Sequence, residues 1–287
     1  MGFLFSQTRL FLNSKFWQFL APIFVSMSLT HRVVNIYLKS QLHVALAFCA
    51  LSWLGAQMLG ASLSLPFLGT AFLGTALGYW VLKFGIALRS FWYWFLFMGT
   101  CVFGWQLTWP QQLGGGLGLL MVLIYGVPLG QDRSNLRNGV GRWKVYWVAL
   151  SWAWGTAVWP ALGQAIDPVL IGYVFGLNFI WVLVLMIPFE IADMASDPKD
   201  LKTWPMFWGW QPLKRAGIVG VLVWCLGMCL LSPDRFPVFV GTSIALIFVL
   251  KRIRPDQPRV WVDFWVEGLP VLPMLLWMLW DYVYLFP

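Results

Sequence analysis

The stretch "GYVFGLNFIWVLVLMIPFEIADMASDPKDLKTWP", Gly172 to Pro205, is an apolar run that ends in acid. No charge interrupts it before Glu190; then Glu190, Asp193, Asp197 and Asp200 follow, four of the chain's eleven carboxylates. The apolar half belongs to a segment long enough to cross a bilayer as a helix, which takes about 20 residues. The rest of the chain repeats that half. It has 287 residues, 60% hydrophobic and 10% charged, with a mean hydropathy of +0.74. A soluble domain carries about 25% charged residues, and no soluble core would hide this much apolar surface. Period-2 alternation is weak, which argues against a barrel. The composition therefore predicts an all-α, polytopic membrane protein.

Reading apolar runs between polar breaks predicts nine spans, near 41–60, 65–83, 91–107, 114–130, 145–162, 168–188, 214–232, 236–251 and 264–286. Residues 1–38 form a separate segment. Arg9, Lys15 and Trp17 sit there among apolar residues and Pro22 breaks it, the pattern of a helix lying in the membrane interface. A tenth span is the alternative. No small-residue cleavage site follows a clean apolar core, so this segment is expected to be retained. Residues 39–287 make up the membrane domain.

The basic residues test this map. With nine spans, 18 of the 19 Lys and Arg fall on the side of the N-terminus, and only Arg235 falls on the other. The positive-inside rule then predicts a cytoplasmic N-terminus and an outer C-terminus, as in a bacterial inner membrane. The net charge of +8 follows from these loops and not from nucleic-acid binding. Many of the 21 tryptophans, among them Trp105, Trp109, Trp147 and Trp159, fall near predicted span ends, where interfacial anchoring accounts for them.

Other chemistry is sparse. Cys225 and Cys229 share a helix face, yet all four cysteines lie in apolar runs and read as small buried residues. His31 and His43 have no second ligand at metal spacing. "GGGLG", Gly114 to Gly118, reads as close helix packing or a connecting loop and not as a phosphate site. Asp263 and Glu267 open the last span. They either join the acidic site across the bundle or, the favoured reading, Asp263 pairs with Arg259 four residues before it.

On a helix, Glu190, Asp193 and Asp197 fall on one face, within roughly 60° of each other. Carboxylates this close repel one another and are costly near hydrocarbon. A divalent cation would relieve both problems, since Mg²⁺ takes one or two carboxylates together with phosphate oxygens. A solvated helix end, partly neutralised by Lys199 and Lys202, is the other reading.

"EIADMASD", Glu190 to Asp197, followed by "LKTWP", resembles the second aspartate-rich motif of the UbiA superfamily of intramembrane prenyltransferases. "LIYGVPLGQDRSNLRNGVGRWKVYWVALSWAWGTAVWP", Leu123 to Pro160, resembles the region after the fourth span of divergent bacterial members. The resemblance implies nine helices around a central cavity. It implies a prenyl diphosphate or related lipid as substrate and Mg²⁺ as cofactor. The diphosphate leaves, and an acceptor captures the allylic carbon. Glu190, Asp193 and Asp197 would then hold the metal, with Asp193 and Asp197 catalytic. Lys83, Arg89, Arg137, Lys144 and Lys202 would hold the diphosphate. The family's first acidic motif is missing. "LGYWVLKFGIALRSFWYW", Leu77 to Trp94, stands in its place with Lys83 and Arg89 as its charged residues. Two readings follow: basic residues take over the lost motif's work, or the chain keeps the fold as a lipid-binding or structural subunit of a membrane complex.

Overall fold

The computed structural model describes residues 42–86, 88–126, 143–194, 203–257 and 259–285. The interfacial segment predicted at 1–38 lies outside the described residues. Within them every regular element is helical. Five helices are long and apolar enough to cross a membrane: α1 (Leu42–Leu59), α2 (Leu65–Phe84), α6 (Pro168–Asp193), α8 (Trp210–Leu231) and α9 (Phe236–Arg252) with the 3₁₀ turn before it. A sixth counts if α10 (Arg259–Gly268) and α11 (Val271–Leu285), which meet at 40°, form one broken span. The shorter members are α3 (Phe91–Trp105), α4 (Trp109–Gly126), α5 (Trp143–Ala153) and the single turn α7 (Trp204–Trp208).

Local chemistry starts these helices. Ser64 accepts the Phe67 N–H at 3.2 Å, with Pro66 in the first turn of α2. Asp167 accepts the Val169 N–H at 2.9 Å, and Pro168 opens α6. Each pair combines a side-chain cap with a proline placed where no N–H is needed.

Pair contacts fix the helix directions. Lys144 meets Glu190 and, further along, Thr156 meets Asn178, so α5 and α6 are antiparallel. Gly217 packs on Ile187 and Gly227 on Leu177, so α6 and α8 are antiparallel. Lys214 reaches Ile253 while Trp224 touches Phe239, which sets α8 against α9. His43 meets Glu267, and ten residues further along each helix Trp53 meets Trp277, so α1 runs parallel to the α10–α11 pair. α1 is the most deeply buried helix, with Ala45, Ala47, Ala50, Leu51, Leu54 and Ala56 enclosed. Small residues dominate its contacts, as expected where lipid is as apolar as leucine and helices associate by close packing.

Two features adjust the sequence reading. Trp147, Trp154 and Trp159 are tied to α4. Their indole N–H groups donate to Met121 O, Gly114 O and Gln111 O at 3.0, 3.0 and 2.7 Å, forming a ladder down α4. Gly114 and Gly115 make room for the Trp159 ring, so these two glycines of the run form a packing surface. The second feature is a π-helical turn, Trp154–Val158, which links α5 to a last turn at Trp159–Ala161. Pro160 has no N–H for Thr156 O, and its ring crowds that oxygen. The helix widens in response, and the Trp159 N–H reaches back to Trp154 O. Thr156 O is left facing Gly55 of α1.

Arg235, the one basic residue on the far side of the predicted map, is held in place. It pairs with Asp281, its Nε lies 3.0 Å from Asp234, and its guanidinium sits 4.7 Å from the Trp277 ring centre.

Candidate functional site

Charge inside this bundle is gathered at the end where α1, α5, α8 and α10 begin and α6 and α9 finish. Pro188 breaks one hydrogen bond of α6, but the helix continues to Asp193 and carries Glu190 into the interior. The Glu190 side chain is 1% exposed, and its Oε1 lies 2.9 Å from Lys144 Nζ, itself 10% exposed. Asp193 is half-buried in the last turn of the same helix.

A second polar pair lies toward the same end of the bundle. His43, in the first turn of α1, is buried and pairs with Glu267 near the end of α10, a residue 224 positions away. The edge-to-face contact of Phe48 with Trp152, further into the bundle, joins the first half of α1 to the last turn of α5. α10 also packs on α6. Nearby, Lys214 of α8 donates to Lys251 O and Ile253 O at 3.0 and 3.1 Å. It thereby caps the end of α9 and lies over the Trp210 ring.

Of the predicted site residues, the structure brings Lys144 and Glu190 into contact and places Asp193 beside them in sequence on α6. Lys83 and Arg89 are exposed, at the end of α2 and in the turn after it. Asp197, Arg137 and Lys202 lie outside the described residues. Glu267 joins His43, while the Arg259 side chain expected to pair with Asp263 also lies outside them.

The metal requirement can be tested on these groups. Among the described residues no three His, Cys, Asp or Glu side chains come together as a metal site. An ammonium already stands on Glu190 Oε1, where a cation would bind. The described residues therefore do not make a metal cage by themselves.

The sequence reading missed the His43–Glu267 pair. Its signal was present: an ionisable residue within an apolar segment needs a buried partner. "QLHVALAF" and "FWVEGLP" each contain one. Sequence spacing could not join them, because the partner comes from the other end of the chain. No family model matches the chain, and no curated protein or solved structure matches it either.

Proposed function

We propose that this chain is a UbiA-like intramembrane transferase of nine spans, acting on a prenyl diphosphate or related lipid with Mg²⁺. The observation that carries the reading is the Lys144–Glu190 pair, buried at one end of a predominantly apolar bundle, with Asp193 in the same last turn of α6. Ionisable groups inside membrane helices are costly and mark functional positions. An ammonium held at that depth is a ready partner for phosphate oxygens. The acidic stretch around it is the one that resembles the family motif. In the proposed reaction the allylic C–O bond breaks and diphosphate leaves. The acceptor bonds to the allylic carbon and loses a proton. The residues outside the described set, Asp197, Arg137 and Lys202, complete the site in this reading, and the cytoplasmic side is the one that carries it.

Binding of a prenyl diphosphate to the purified protein, measured by calorimetry with and without Mg²⁺, tests the proposal. Binding that requires Mg²⁺ and disappears in Asp193→Ala is the expected result. A protein that binds no prenyl diphosphate in either condition ends it.

A second reading is favoured by the same ion pair. Because Lys144 already engages Glu190, the chain fits a degenerate relative that serves as a lipid-binding or structural subunit of a membrane complex. Turnover of any prenyl diphosphate by the purified protein eliminates that reading.

A further inference from the structure

The stretch that closes α9, "LKRIRPDQ", Leu250 to Gln257, carries three cations around one buried residue. Ile253 is fully enclosed, while Lys251, Arg252 and Arg254 on either side of it are exposed. The backbone beneath them is fixed. The Ile253 N–H donates to Val249 O at 3.0 Å, and Pro255 opens a turn in which the Gln257 N–H donates to Arg254 O at 3.1 Å.

A helix C-terminus by itself repels anions, because its last carbonyls form the negative end of the dipole. Lys214 offsets that here. Its ammonium donates to Lys251 O and Ile253 O at 3.0 and 3.1 Å, so a further positive charge stands where the negative pole would be. Among the described residues none of Lys251, Arg252 and Arg254 forms an ion pair, and Asp256, the carboxylate of the same turn, forms none either.

The exposed surface leading to these cations is apolar. Phe236, Val240, Ile244 and Phe248 follow at four-residue intervals as one exposed ridge of α9, and the next position on that ridge is Arg252. The Arg252 guanidinium sits over the Phe248 ring, 5.0 Å from its centre. α9 is among the helices able to cross a membrane, so the ridge meets hydrocarbon and its charged end reaches the headgroups.

An apolar ridge that ends in cations matches a phospholipid in order, tail and then phosphate. We propose that the end of α9 binds the headgroup of an anionic phospholipid, with Lys251, Arg252 and Arg254 on its phosphate oxygens and an acyl chain along Phe248 and Ile244. Arginine and lysine pair readily with phosphate, and basic clusters at this level of membrane helices hold anionic headgroups. A free phosphate would use the same cations and leave the ridge unused. None of these residues belongs to the Lys144–Glu190 pair, so the proposal stands whether or not the chain binds a prenyl diphosphate.

Native mass spectrometry of the full-length protein in detergent, titrated with phosphatidylglycerol or phosphatidylcholine, tests the site. The first phosphatidylglycerol should bind about tenfold tighter than phosphatidylcholine, whose choline cation opposes the cluster. A cation near the headgroups contributes about 1 kcal/mol, close to fivefold in affinity, so Lys251→Gln, Arg252→Gln and Arg254→Gln should each weaken phosphatidylglycerol by about that factor and leave phosphatidylcholine nearly unchanged. Arg215→Gln removes an equal charge, exposed at the same end but on α8, and should leave both affinities nearly unchanged. If it weakens phosphatidylglycerol as much as Arg252→Gln does, the attraction is diffuse surface charge and the site is wrong. Equal affinity of the unaltered protein for both lipids overturns the proposal whatever the variants do. Glycerol phosphate in large excess supplies phosphate without tails and should not displace the lipid. Displacement would assign the cations to a free phosphate and end the lipid reading.

Discussion

Gly55 and Thr156 are in direct backbone contact: a Cβ added to Gly55 would sit 2.0 Å from the Thr156 carbonyl oxygen. That oxygen cannot rotate away as a side chain would, because it belongs to the π turn that Pro160 imposes. Gly55→Ala should therefore cost about 3 kcal/mol, at the upper end of ordinary overpacking, read as a lowered melting temperature in detergent. Pro160→Ala restores a donor for Thr156 O and lets the turn relax. Combined with Pro160→Ala, Gly55→Ala should cost clearly less than it does alone. Strict additivity of the two changes would show that the proline does not set the close approach.

Lys144 and Glu190 should behave as a unit. Removing one member of a buried pair strands the other charge, at about 3–5 kcal/mol. Lys144→Met and Glu190→Gln are each expected to lower stability by an amount in that range. Lys144→Met with Glu190→Met removes both charges and should melt closer to the unaltered protein than either single variant. A double variant less stable than both singles would mean that the pair stabilises the bundle beyond cancelling its own burial.

How far the sequence revealed this structure depended on the range of the interaction. Helix positions were legible because apolar runs end at local signals: Ser64 with Pro66, Asp167 with Pro168, and the charged turn after α9. The glycine run left helix packing and a loop open, and the structure makes Gly114 and Gly115 a packing face, a use small residues commonly serve between membrane helices. The acidic end of α6 was legible as a cluster, but the buried partner of Glu190 was not. Lys144 appears in sequence as one of many loop cations, and only the antiparallel register of α5 and α6 turns it onto Glu190. His43 and Glu267 lay further out of reach, since their meeting requires the first and last spans to run side by side. The tryptophans are ambiguous for a related reason. An indole near a span end looks the same whether its N–H faces headgroups or, as with Trp159, a carbonyl of the next helix.

Lys214 closes the end of α9 with its ammonium. Two carbonyls, Lys251 O and Ile253 O, accept from Nζ, and the side chain is largely buried. Lys214→Met keeps much of the apolar stem and removes the donor. Buried carbonyls without partners cost about 1–3 kcal/mol, so this variant should lose stability of that order. The loss should be local, with faster amide exchange at 249–253 and little change on α6. A uniform loss across both helices would assign Lys214 to packing instead of capping.

Arg235 tests the orientation of the whole chain. It is the exception to a map that places every other basic residue on the side of the N-terminus. An unpaired arginine there would oppose the map, but Arg235 is matched by Asp281 and Asp234 and rests on Trp277. The Asp281 side chain is 38% exposed, so solvent screens the pair to no more than about 1 kcal/mol and Arg235→Gln should be mildly destabilising. It should not turn the protein over, because orientation follows the sum of many loop charges. Single cysteines at Ser62, Leu88 and Pro233, placed in a chain whose four native cysteines are replaced, provide the measurement. With a membrane-impermeant maleimide on intact cells, positions 62 and 233 should label and position 88 should not, with or without Arg235→Gln. Labelling of position 88 together with the other two would mean that α2 does not cross the membrane and that the nine-span map is wrong.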